Sequence, residues 1–138
     1  MSIPEFNERG CLPPGQHITT WREFLERFGT NPHRLRLATG LAAALRKLAI
    51  AGCTHVVIGG SFVTAKEQPN DFDAYFDDFG LNFETIDPIF IDSDEMERQQ
   101  EVFGGELQFT FGYDRFLQTD RDGNPRGVIE LNPQDLIN

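Results

Sequence analysis

Apolar residues follow a helical spacing between residues 32 and 50. Leu37, Leu41, Leu45 and Leu48 fall on one stripe, with Ala38 and Ala44 beside it. Asn31 suits the N-cap, Pro32 the first helical position, and Gly52 the exit. Arg34, Arg36, Arg46 and Lys47 occupy other positions and read as solvated, so this helix reads as core scaffold. A shorter helix is predicted over residues 20–28. Thr20 and Glu23 open it in a capping-box pattern, and Gly29 stops it. A third covers residues 94–103 and ends at Gly104-Gly105.

Strand signals alternate with these helices. HVVI, residues 55–58, is a short apolar run entered through the turn at Gly52, and residues 71–76 form a second. GELQFTF alternates strictly. Glu106, Gln108 and Thr110 share one face, and Leu107, Phe109 and Phe111 share the other. GVIELN is a last strand before a short terminal piece, NPQDLIN. Within residues 80–93, IFID fits either a strand or a loop that ends in a helix cap. Residues 1–18 hold Pro4, Pro13, Pro14, Gly10 and Gly15 and read as an extended arm, and TDRDGNPRG, 119–127, as a turn-rich loop. The expectation is one α+β domain over residues 1–138, with three helices and four to five strands.

Charge narrows the partners. The formal net charge is −10, against the clustered Lys and Arg that bare nucleic acid requires and against an anionic membrane surface. No apolar run reaches transmembrane length and the N-terminus has no signal-peptide core, so a cytoplasmic location is expected. Cys11 and Cys53 are far apart and outside any CxxC pair, and read as reduced thiols. His17, His33 and His55 lack zinc-ligand spacing. Between Glu67 and Glu97 there are eleven carboxylates and no Lys or Arg. Such a run is a solvated acidic face or a site that holds divalent cations.

The second option gains from one stretch, GGSFVTAKEQPNDFDAYF. In a strand, Asp71 and Asp73 project to the same face, with Phe72 opposite. Two ionised carboxylates so close repel, and Mg²⁺ (or Mn²⁺) removes the objection. Mg²⁺ is commonly held by one or two carboxylates together with substrate phosphates. Upstream, Gly59-Gly60-Ser61 is a turn free of Cβ crowding, where backbone N–H groups and the Ser61 hydroxyl can meet a phosphate. Gly60 is expected where a side chain would block that approach. It is not a Walker loop, since no Gly-Lys-Ser/Thr follows. Lys66 is a candidate phosphate contact or an exposed loop lysine, and Thr64 and Asn70 read as turn residues.

A strand, Gly60-Ser61, a nine-residue spacer and Asp71-Phe72-Asp73 in a second strand resemble the signature of the nucleotidyltransferase superfamily. A closer resemblance covers nearly the whole chain. PEFNERG, LPPG with His17, the GSFVTAKE run, PNDFD and FGGEL are similar to a family of small bacterial proteins described only as nucleotidyltransferase-like, with a domain of unknown function. The resemblance implies a nucleotidyltransferase fold on a mixed sheet, with the Pro-rich arm packed on the domain. It implies that Asp71 and Asp73 are metal ligands and that Gly60 and Ser61 meet the triphosphate of an NTP. It also implies a third carboxylate from a later strand, as metal ligand or as base for an acceptor hydroxyl. Glu106 is the first candidate, with Glu130 and Asp92 as the others. The expected activity is Mg²⁺-dependent transfer of a nucleoside monophosphate to an acceptor hydroxyl. Nothing past residue 112 looks like a second, substrate-binding domain. The dense acidity and small size suit a protein partner or a small acceptor better than bare nucleic acid, and a protein acceptor would fit a toxin–antitoxin or phage-defence setting. Two alternatives stand beside it: a catalytically incomplete nucleotidyltransferase-fold protein that binds and regulates a partner, and an interaction domain with no nucleotide site.

Overall fold

The computed structural model describes residues 3–110, 118 and 122–137. Helix α1 covers Trp21–Phe28, with the Thr20 hydroxyl accepting from the Glu23 amide. The Glu23 carboxylate accepts from the Thr19 hydroxyl instead of turning back to Thr20. Helix α2 covers Pro32–Ile50. Asn31 caps it, and the chain leaves through Gly52 at φ +95°. Helix α3, Met96–Phe103, stops at Gly104 in the left-handed conformation (φ +88°). It starts later than the sequence suggests, because Ser93–Glu95 forms a 3-10 turn capped by Asp92. Pro88–Phe90 forms another, so the ambiguous IFID run is not a strand.

Five strands make one mixed sheet: β1 Gln16–Ile18, β2 Val56–Gly59, β3 Phe72–Phe76, β4 Gly105–Phe109 and β5 Val128–Leu131, in the order β1-β5-β2-β3-β4. The β5-β2 and β2-β3 pairs are antiparallel, and the outer pairs β1-β5 and β3-β4 are parallel. The arm thus supplies an edge strand, which its prolines and glycines did not signal. Phe111 and residues 119–121 of the predicted loop lie outside the described residues.

Alternation sorts each strand between two environments. Val56, Ile58, Phe72, Ala74, Phe76, Leu107, Ile129 and Leu131 pack with Phe24, Phe28, Leu41, Leu45, Leu48 and Phe103 in one core, so all three helices lie on that face. On the other face Val57, Tyr75 and Val128 form a small buried cluster. The polar residues of β3 and β4 belong to this second face.

β4 has a side-chain neighbour on its helix side. Gln99 of α3 is fully buried. Its amide accepts from Leu107 N–H (2.7 Å) and donates to the carbonyls of Leu107 and Ile89. A buried glutamine here does the work of backbone groups that would otherwise be orphaned.

Candidate functional site

β2 ends at Gly59, and Gly60 (φ +74°) turns the chain into a 3-10 turn, Gly60–Val63. The ladder register sets Gly59 opposite Asp73, and Asp73 opposite Glu106. Cross-strand partners project to the same face, so Asp73 and Glu106 stand side by side on the face away from the helices. Asp71 lies just before β3. Its carboxylate accepts a hydrogen bond from Gln100 Nε2 at 3.1 Å.

A cleft of about 710 Å³ opens over this end of the sheet. Gly60, Ser61, Lys66, Asp71 and Asp73 all line it, together with Asn70, Cys11, Asp122 and Arg126. Five residues singled out from the sequence thus share one wall. Glu106 adjoins Asp73 from β4 without lining the cleft itself. Asp92 is remote in role: exposed, it caps the turn before α3. Glu130 is also engaged elsewhere. It bonds to His55 Nε2, while Asp77 bonds to His55 Nδ1 at 2.8 Å, a cluster at the other end of the same sheet face.

The carboxylates perturb each other. Asp73 is pushed up from 3.8 to about 6, by burial first, then by the neighbouring charges of Asp71 and Glu106, with Arg126 pulling the other way. A Cβ on Gly60 would fall 2.7 Å from Asp73 Oδ2. Glycine is therefore required here for its left-handed backbone and for the passage of the aspartate. The expectation had the absent side chain clear a path for phosphate; the nearest atom in the way is the carboxylate.

The wall that carries Ser61 and Lys66 is held from α2. Arg34 was expected to be solvated; it is buried, 3% exposed. Its guanidinium donates to the carbonyls of Phe28, Phe62, Thr64 and Lys66 at 2.6–3.1 Å, and it lies over the Phe62 ring. The first turn of α2 points this residue back at the loop, and helical spacing alone gives no sign of it. Asn31 Nδ2 donates to Glu67 O, and the His33 ring bonds to Pro69 O. Arg34, Gln100 and Arg126 are the residues the sequence reading missed. Each reaches the site across the fold, and none belongs to a local pattern.

Do these residues fit a divalent metal? The donors are oxygens, two of the carboxylates are close enough to raise a proton affinity, and a hard cation suits both features. Among the described residues no three His, Cys, Asp or Glu side chains converge as a ready metal cage. Asp71 and Asp73 would hold the ion, with Glu106 adjacent, and phosphates and waters would complete the shell, as is usual for Mg²⁺.

The chain belongs to DUF6932, a family of unknown function. The match covers residues 4–132, from the arm through all five strands. No curated protein and no solved structure matches this DUF6932 chain. The family's description assigns no activity, so a functional reading of DUF6932 must come from the cleft. No helix of the described residues is long and apolar enough to cross a membrane.

Proposed function

We propose that this protein is a minimal nucleotidyltransferase of the cytoplasm that moves a nucleoside monophosphate from an NTP to an acceptor hydroxyl. The reading rests on one observation above the rest. Parallel pairing of β3 and β4 puts Glu106 beside Asp73, which lines a cleft together with Asp71, Gly60 and Ser61. In this scheme Asp71 and Asp73 would hold Mg²⁺, which would supply charge neutralisation for the triphosphate. Ser61 and Lys66 contact phosphate oxygens. Glu106 takes the proton of the acceptor hydroxyl or ligates the metal. The acceptor oxygen attacks the α-phosphorus and pyrophosphate leaves. With net charge −10, the acceptor is a protein or a small molecule rather than bare nucleic acid.

A second reading has its own support. Among the described residues no three His, Cys, Asp or Glu side chains are grouped to hold a metal ion, which suits a protein that binds nucleotide without turnover and regulates a partner. Calorimetry with ATP, GTP, CTP and UTP, with and without Mg²⁺, addresses both. Mg²⁺-dependent binding lost in the Asp71→Asn, Asp73→Asn double variant is the expected result. Equal binding by both proteins would sink the metal assignment. Glu106→Gln should keep binding and lose transfer. Binding without any transfer by the parent protein would favour the regulatory reading.

A further inference from the structure

Arg126 sits in the cleft without an obvious structural task. Its Nε is closed off from solvent and has no hydrogen-bond partner among the described residues. Burying such a donor unpaired costs about 1–3 kcal/mol, so its position needs a reason. Its charge reaches Asp73 across the cleft.

The N-terminal arm fixes the backbone next to Arg126. Gly127 N donates to Leu12 O (3.0 Å) and Val128 N to Gly15 O (2.9 Å). The arm approaches so closely that a Cβ on Gly127 would fall 2.1 Å from Pro13 O and 2.8 Å from His17 Nε2. His17 Nε2 in turn bonds to Pro13 O at 2.6 Å, which holds the arm in this path. On the other side Arg126 N donates to Gln118 O at 2.8 Å. The backbone of Arg126 is thereby tied down from both flanks. Leu12 is fully buried, so the arm is anchored in the core at this residue.

We propose that Arg126, which lines the same cleft as Asp71 and Asp73, is a second cationic contact beside Lys66 for the polyphosphate of the nucleotide. A planar guanidinium that lines a cleft can offer its fork to two phosphate oxygens at once. Asp71 and Asp73 line the same cleft, so a metal-bound polyphosphate there joins both signs of charge. The assignment deepens the nucleotidyltransferase reading and rests on it for the identity of the ligand.

Inorganic tripolyphosphate with Mg²⁺ is the decisive probe, because it carries no base. Calorimetry should show binding by the parent that weakens roughly ten- to a hundredfold in Arg126→Gln, with Arg126→Lys in between. The same order should hold for ATP, and the variants should lose little toward AMP. Circular dichroism and thermal unfolding confirm that the variants remain folded. Parent-like tripolyphosphate affinity in Arg126→Gln would overturn the assignment while leaving the nucleotidyltransferase reading intact. Arg126-dependent binding that ignores Mg²⁺ would do the reverse: the anion contact stands and the metal-dependent reading falls. Failure of the parent to bind any NTP or tripolyphosphate overturns both.

Discussion

Asp73 carries the conflict of the site in one carboxyl group. In the unfolded chain it ionises near 3.8, and in the folded chain near about 6. Between those values the unfolded state loses its proton first, so stability falls as pH rises, and the full penalty is present above pH 6. After solvent screening the penalty is about 1–2 kcal/mol. Asp73→Asn is therefore expected to be more stable than the parent at pH 7.5 by about that much, and level with it below about pH 4. Urea denaturation at the two pH values measures the difference. An advantage that persists at low pH would mean that packing, not ionisation, separates the two proteins. Such a gain would fit the trade between stability and activity expected of a site used for chemistry.

At the scale of elements, the part of the cleft wall that carries Ser61 and Lys66 is a 3-10 turn and the loop after it, held in shape by the helix beside it. Carbonyls of Phe62, Thr64 and Lys66 turn inward and find one common donor, the Arg34 guanidinium. The hydrogen bonds of this guanidinium go to backbone carbonyls, whose dipoles carry its charge, and burial lowers its pKa from the ordinary arginine value. Lysine has a point charge with three donors and cannot reproduce the planar fork. Arg34→Lys is expected to cost about 2–3 kcal/mol in thermal or urea unfolding. It should also weaken nucleotide binding, since Ser61 and Lys66 ride on the same loop. Unchanged stability would show that water can replace the guanidinium among these carbonyls. The polar bonds of Gln99 to Leu107 tie α3 to β4 in the same manner, a side chain meeting backbone needs that strand pairing leaves unmet.

For the whole molecule, the two cysteines report on different parts of the fold. Cys53 is fully buried, and burial raises its thiol to about 11, so it is neither accessible nor ionised at neutral pH. Cys11 is part-exposed and lines the cleft through the packed arm. A maleimide should modify one thiol in the native protein and two in denaturant. Mg²⁺ with the cognate NTP should slow the native reaction, as read by mass spectrometry over time. Fast modification of both thiols would contradict the closed core, and indifference of Cys11 to nucleotide would count against the cleft as the nucleotide site.

Much of this was legible in the chain itself. The helical stripe of Leu37 to Leu48, the Asn31 cap and the glycines that end helices are local signals, and a local backbone obeys them. The spacing from Gly60-Ser61 to Asp71 and Asp73 was legible too, because a turn and a two-residue alternation need only neighbours. Alternation in GELQF also marked which face Glu106 would take. It could not say which strand would lie alongside. That choice belongs to the β3-β4 register, which brings Glu106 to Asp73 and leaves Glu130 with His55 and Asp92 at a helix cap. The edge strand in the arm, the burial of Arg34 and the placement of Arg126 were not legible. Each depends on partners far along the chain, and periodicity carries no information about distant contacts. The residue types and local turns were thus determined by sequence alone; which charges face each other was decided by tertiary packing, because charge interactions act through space rather than along the chain.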